Sequence, residues 1–186
     1  EAGSIYIREN DELTFNVFQN DRLTYDEIYE KFNELKNIHI PMNQPEKYLA
    51  VESLVTKKII IIDDVYQTTT HGFMGVAKFD KIFDYRTRSI ITAPLIHPLT
   101  NEGLGVVQII NKVDDGEYSV FDDKDKYILS MACSFIALSV SKAKQDMEKL
   151  KDINKNLEKR VAFEVEKNEN KSAIIYNQSK MASMGE

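Results

Sequence analysis

Arg86 and Arg88, two residues apart, are the side chains best suited to holding a ligand. Each guanidinium presents a planar fork of donors that fits a carboxylate or another anion. Asp80 and Asp84 lie just upstream and offer the competing use, ordinary ion pairing. His39, His71 and His97 are scattered without the spacing of a metal site, and each reads as a surface residue. The single cysteine, Cys133, stands in an apolar helical stretch with Met131, Phe135 and Leu138, which reads as buried packing. One cysteine leaves no internal disulfide framework and fits a reducing, cytoplasmic setting. These residues suggest binding. They offer no catalytic group and require no cofactor.

The elements that must position them are legible in the pattern. Residues 4–8 and 12–19 alternate apolar and polar around a turn at Glu9-Asn10-Asp11, which predicts a hairpin. Thr24 and Glu27 have the spacing of a capping box, followed by an apolar face of Ile28, Phe32 and Leu35. Ile38–Pro41 is a short extended piece, and Tyr48 to Val55 reads as a helix. Lys57 to Asp63 contains four consecutive isoleucines, which predicts a buried central strand. A polar loop runs from Tyr66 to Gly72, and Val76 to Asp84 reads as a short helix. Ser89–Ile96 and Gly103–Asn111 are two more strands, and Asp114-Asp115-Gly116 is a turn. About six strands with helices before, between and after them predict an α+β fold, an antiparallel sheet flanked by helices.

The last third is different. Between Gly116 and Gly185 there is no glycine and no proline, and the residues favour a helix. A helix from about Asp123 to Met184 would be roughly 90 Å long at about 1.5 Å per residue. A domain built from the rest would be only about 30–40 Å across. Such a helix needs a partner, and the apolar stripe suggests a second copy. Met147, Leu150, Asn154, Leu157 and Val161 alternate in steps of three and four, the seam of a parallel two-stranded coiled coil. The seam continues through Val165, Asn168, Ser172, Ile175, Ser179 and Ala182. The steps from Leu157 to Val161 and on to Val165 are both four, a stutter that locally unwinds the supercoil. The expected organisation is a sensor domain over residues 1–142 and a coiled-coil signalling helix over 143–186.

Charge is divided along the chain: the overall −6 splits into about −8 for residues 1–140 and about +2 beyond them. An acidic head does not favour nucleic acid or an anionic membrane surface. No apolar run approaches a membrane span. The chain starts at Glu1 and opens directly into a strand, so it reads as a piece of a longer protein whose membrane anchor, if it has one, lies upstream.

Residues 1–142 resemble a GAF domain. Ala2-Gly3-Ser4-Ile5-Tyr6 is similar to the first strand of that family. Tyr85 to Ile90 with Ala93-Pro94-Leu95, Gly105 to Lys112, and Phe121 to Asp125 are similar to its later strands and closing helix. The family's first helix would precede Glu1. The resemblance implies a pocket between one sheet face and the overlying helix and loops, with Phe73, Phe79, Asp80, Arg86, Thr87, Arg88, Thr92 and Gln108 as candidate lining. Asn111, Lys112, Phe121 and Asp125 match part of a motif of cyclic-nucleotide-binding GAF domains, but Lys126 stands where that motif has Glu. In the family the Lys and Asp form a structural ion pair, which assigns Lys112 and Asp125 that role here. The absence of cysteine between residues 57 and 112 argues against a conventional bilin, and one cysteine argues against the methionine sulfoxide-reducing members. A haem would need a buried histidine, for which His71 is the one candidate.

Leu157-Glu158-Lys159-Arg160-Val161 and Asn177 to Glu186 resemble the run into the dimerisation and phosphoacceptor helix of bacterial sensor histidine kinases. No histidine follows His97, so the phosphorylated one is expected beyond Glu186. Together the resemblances imply a non-enzymatic sensory module. It would be a homodimer through Leu150, Asn154, Leu157, Val161 and Val165, with an unidentified small-molecule ligand. A kinase core outside the chain would pass the signal to a response regulator. The alternative is a cyclic-nucleotide-binding regulator of a nucleotide cyclase or phosphodiesterase.

Overall fold

The computed structural model describes residues 2–67, 74–83 and 85–183. Alternation builds the first hairpin: β1 (Ala2–Glu9) and β2 (Glu12–Asn20) pair antiparallel, with Asn10 supplying the positive φ of 56° at the turn. A register shift opposite Ile5 and Tyr6 leaves Asn16 as an extra residue in β2, the mark of a bulge in that strand. The Thr24 hydroxyl accepts from the Glu27 N–H at 3.4 Å, and the Glu27 carboxylate accepts from the Thr24 N–H at 2.8 Å. This capping box starts α1 (Tyr25–Leu35). β3 (His39–Pro41) follows and pairs with β2.

α2 (Leu49–Thr56) buries Leu49, Ala50, Val51 and Leu54 and ends on Lys57 in the left-handed region. β4 (Ile60–Ile62), α3 (Met74–Phe83), β5 (Ile90–Ile96) and β6 (Gly103–Ile110) complete the main structure. The six-stranded sheet has the order β3-β2-β1-β6-β5-β4, and every pair in it is antiparallel. The first strand therefore sits in the middle, beside β6. The fold is α+β and GAF-like.

The isoleucine run lies at the sheet edge, not at its centre. It is apolar throughout because both faces are covered. Ile60 and Ile62 pack with Leu49, Val65 and Ile90, while Ile59 and Ile61 lie against the opposite layer. A two-residue hairpin, β7 (Val113–Asp114) and β8 (Glu117–Tyr118), is a further pair that the sequence reading left as a turn. Asp115 and Gly116 supply the two positive φ angles, 48° and 84°, that such a tight connection needs.

Gly105 is dictated by contact. A Cβ there would lie 2.1 Å from the Tyr6 carbonyl oxygen, in backbone that cannot yield. The two central strands approach this closely only because position 105 has no side chain.

α4 (Asp123–Ser183) spans 61 residues. The Asp122 carboxylate accepts from the Lys124 and Asp125 N–H groups at 2.8 and 2.9 Å, and Asp125 accepts from the Asp122 N–H at 2.9 Å. The helix is thus capped reciprocally at its positive end. Leu129, Cys133 and Ala137 pack onto Ile91, Ala93, Leu95 and Val107 of the sheet, with Ile136 and Val140 alongside. Cys133 is buried, and burial pushes its thiol up to about 11. Its expected companions are not buried with it: Met131, Phe135 and Leu138 are 44%, 73% and 58% exposed. Helical geometry explains this, since they lie on a different stripe from positions 129, 133 and 137.

The chain divides into two compact units, Glu1–Ser141 and Lys142–Glu186. The second is the later part of α4. Leu150, Asn154, Leu157, Val161 and Val165 are all exposed there. Among the described residues no helix is long and apolar enough to cross a membrane.

Candidate functional site

The two faces of the sheet have different chemistry because side chains alternate along each strand. Ile5, Ile7, Ile91, Ala93 and Val107 face the α4 layer. Tyr6, Gln108 and Thr92 belong to the other face, and their polar atoms join across three strands. The Tyr6 hydroxyl donates to Gln108 Oε1 at 3.0 Å, and Gln108 Nε2 donates to Thr92 Oγ1 at 3.1 Å. Ser4 Oγ lies 3.4 Å from the Tyr6 hydroxyl. Burial pushes the Tyr6 phenol up to about 12.

A cavity of about 70 Å³ opens on this face. Its floor is Ala2, Ser4 and Tyr6 of β1 with Gln108 and Ile110 of β6. Phe15, Phe18 and Asn20 of β2 line one side. Val76, Phe79 and Asp80 of α3 and Tyr85 and Thr87 of the following segment also line it. Phe15 packs on Tyr6 and on Phe79, with ring centroids 4.5 and 5.3 Å apart. A smaller recess of about 30 Å³ also borders Tyr6, Val76, Phe79 and Gln108.

Among the described residues Asp80 is the one formally charged residue lining the larger cavity, and it is buried. Its carboxylate accepts three hydrogen bonds: Thr87 Oγ1 at 2.6 Å, the Thr87 N–H at 2.8 Å and the Tyr66 hydroxyl at 2.6 Å. The hydrogen bond to this carboxylate, with some burial, raises the Tyr66 phenol to about 12. Asp80 thereby ties α3 to the segment that precedes β5.

Asn111 fixes the other side of that segment. Its Oδ1 accepts from the Arg88 N–H at 2.6 Å and its Nδ2 donates to the Arg86 carbonyl at 2.9 Å. It does so from a positive φ of 56°, which asparagine tolerates better than most residues. Next to it, Lys112 Nζ meets Asp125 Oδ2 at 2.5 Å and Asp122 Oδ2 at 3.8 Å. The hydrogen bond that the Lys112 ammonium donates to Asp125 holds it above its ordinary range. Phe121 is buried in the layer under α4. Asn111, Lys112, Phe121 and Asp125 therefore join strand, segment and helix, and none of them lines the cavity.

Of the residues the sequence proposes for the pocket, Phe79, Asp80, Thr87 and Gln108 line the cavity, and Thr92 supports it through Gln108. Phe73 lies outside the described residues, as do His71 and Asp84. Arg86 and Arg88 are exposed and do not line the cavity. Neither forms the expected pair with Asp80. Arg86 lies over the Tyr66 ring at 4.9 Å and Arg88 over the Tyr118 ring at 4.3 Å. The Asp80 oxygens accept instead from Tyr66 and Thr87. Tyr6, Phe15, Phe18 and Tyr85 are lining residues that the sequence reading missed. Alternation in β1 could have paired Ser4 with Tyr6, but only the register to β6 brings Gln108 to them.

Two histidines have local structural uses. His97 Nδ1 accepts from the Leu99 and Thr100 N–H groups at 3.2 and 3.1 Å, and His39 Nδ1 lies 2.9 Å from Glu12 Oε2. Among the described residues no cluster of histidine, cysteine and carboxylate could hold a metal ion.

No family model and no curated protein matches the sequence. Solved structures do match in shape. The GAF domain of a phosphoenolpyruvate-protein phosphotransferase from Coxiella burnetii superposes with TM-score 0.57 at 13% identity, covering 78% of this chain and 74% of that one. A GAF domain/HD domain protein from Geobacter sulfurreducens gives 0.56 at 13% identity, with coverages of 77% and 82%. The GAF domain of the Acinetobacter phosphoenolpyruvate-protein phosphotransferase gives 0.53 at 12%, with coverages of 77% and 72%. At these identities the likeness concerns backbone architecture, and the architecture of this chain is that of a GAF domain.

Proposed function

We propose that this chain is the sensory and dimerisation module of a two-component sensor histidine kinase. The head binds a small molecule in the cavity under α3, and a parallel coiled coil carries the result to a kinase core outside the chain. That core then phosphorylates a response regulator. The module itself is a non-enzymatic, cytoplasmic regulator. The observation that carries this reading is the apolar series in the second unit. Met147, Leu150, Leu157, Val161 and Val165 are each at least half exposed, at seam spacing, on a helix rich in charge. A second copy of the same helix would cover them. The Asn177–Glu186 run, similar to the entry into a phosphoacceptor helix, supports the kinase context.

The cyclic-nucleotide alternative rests on a partial motif: Asn111, Lys112, Phe121 and Asp125 join elements away from the cavity, as the motif's structural ion pair implies, and Lys126 departs from it.

Single cysteines at Leu150, Leu157, Val161 and Val165, in a Cys133→Ser background, test the dimer. Disulfide-linked dimers should form at these positions and not at Lys151, Lys155 or Lys159. Uniform cross-linking, or a monomer by sedimentation at micromolar concentration, would remove the coiled coil and with it the relay.

A further inference from the structure

The cavity has the opposite charge character to the one its neighbouring arginines suggest. Arg86 and Arg88 are held outside it on the faces of Tyr66 and Tyr118. Arg22 sits over the Tyr85 ring at 5.4 Å and donates to the Tyr118 hydroxyl at 2.8 Å, and it too is not a lining residue. Among the described residues no lysine, arginine or histidine lines the space, and the one charged residue that does is an acid. An anion entering here would meet a buried carboxylate with no counter-charge, a costly arrangement.

What does line the cavity is aromatic. Tyr6, Phe15, Phe18, Phe79 and Tyr85 contribute five rings around a space beside Asp80. A ring face is an electronegative surface that attracts cations, most strongly where water is excluded. The same preference already shows at the rim, where three guanidinium groups lie over tyrosine rings. Asp80 has three hydrogen-bond donors but no basic partner among the described residues. The Tyr85 hydroxyl is buried without a hydrogen-bond partner there, although the Asn111 side chain lies near it. The Asn111 carboxamide is already committed to the backbone of Arg86 and Arg88. The cavity thus offers an aromatic wall, a carboxylate and one spare polar atom.

We infer that the cavity takes a small organic cation, a primary or methylated amine whose head group sits among the aromatic rings with Asp80 as its counter-charge. The volume suits a head group of a few heavy atoms and no more, since about 70 Å³ equals the space of a handful of water molecules. A hydroxyl or carbonyl on the same ligand would find the Tyr85 hydroxyl. The inference deepens the sensor reading above and rests on it. Its test reads the head alone, whereas cross-linking reads the seam, so either can fail without the other.

The test is calorimetric titration of the full chain with three probes of matched shape. These are choline, its uncharged carbon isostere dimethylbutanol, and the anion pivalate. Choline should bind at least about tenfold more tightly than dimethylbutanol, and pivalate should not bind. Asp80→Asn should remove most of that preference. Because Asp80 also holds Tyr66 and Thr87, Phe79→Leu serves as the second variant. It should weaken choline about fivefold or more and leave dimethylbutanol within twofold, since it removes a ring but keeps apolar volume. Equal or tighter binding of the neutral isostere, binding of pivalate, or no binding of any probe would each overturn the inference.

Discussion

Asn111 shows how much one side chain can hold. It is fully buried, fixes two backbone groups of the segment that carries Thr87, and sits at a positive φ. Asn111→Ala should cost about 2–4 kcal/mol, from two buried groups left unpaired and a φ that alanine resists. Asn111→Gly relieves the φ but not the lost bonds, so it should fall between the two in urea-induced unfolding followed by circular dichroism. Tyr6 and Cys133 make a second residue-scale prediction. Both are buried in their neutral forms, with the phenol raised from 10.0 to about 12 and the thiol from 9.0 to about 11. Their stabilising contribution is therefore complete below about pH 9 and is lost as pH rises through the folded values. Stability should be flat from neutral pH to about 9 and should fall above it, by at most about 2–3 kcal/mol per group. Tyr6→Phe should show a shallower fall in the same titration. Residue type alone does not single out the cavity residues; the family resemblance proposed Phe79, Asp80, Thr87 and Gln108, which line the cavity. Arg86 and Arg88 misled, because a guanidinium that suits an anion suits a tyrosine face equally well. Residue type does not say which neighbour is free.

At the scale of elements, each cap and join can be cut separately. Thr24→Ala should lower stability by about 1 kcal/mol through the lost cap of α1, measured by thermal unfolding. Lys112→Ala should lower the melting temperature as well, with the difference from wild type shrinking at high salt because this pair is solvent-accessible. A charge-swapped Lys112→Asp, Asp125→Lys pair should recover part of the loss, while Lys112→Asp alone should be the worst of the three. The hairpin, the capping box and the long helix are local in the sequence, and alternation, spacing and the absence of glycine and proline disclose them. The place of β4 is not local. Hydrophobicity reports that Ile59–Ile62 are covered on both faces, and an edge strand between two layers is covered as completely as a central one. Only hydrogen-bond partners distinguish the two. The β7–β8 hairpin is too short to show a period, so only its Asp115-Gly116 turn was visible.

For the whole molecule, the central question is what the second unit meets. The seam positions predict association through α4, and Leu157→Lys with Val161→Lys should leave a monomer by sedimentation without unfolding the head, since both are exposed in the single chain. The stutter from Leu157 to Val165 marks where two packings of that seam would differ least in free energy. The strand order has a further consequence, for biosynthesis. β1 occupies the middle of the sheet and pairs through Ala2–Ile110 and Ile7–Gly105, so its second edge stays open until residues about a hundred positions later emerge from the ribosome. At about 5–20 residues per second that is a wait of roughly 5–20 s. Through that interval the nascent hairpin presents Ile5, Tyr6 and Ile7 along one unpaired edge, of the kind to which other chains add. Slow elongation between β2 and β6 should therefore lower the soluble yield, and a trigger factor or similar holdase should protect this hairpin first.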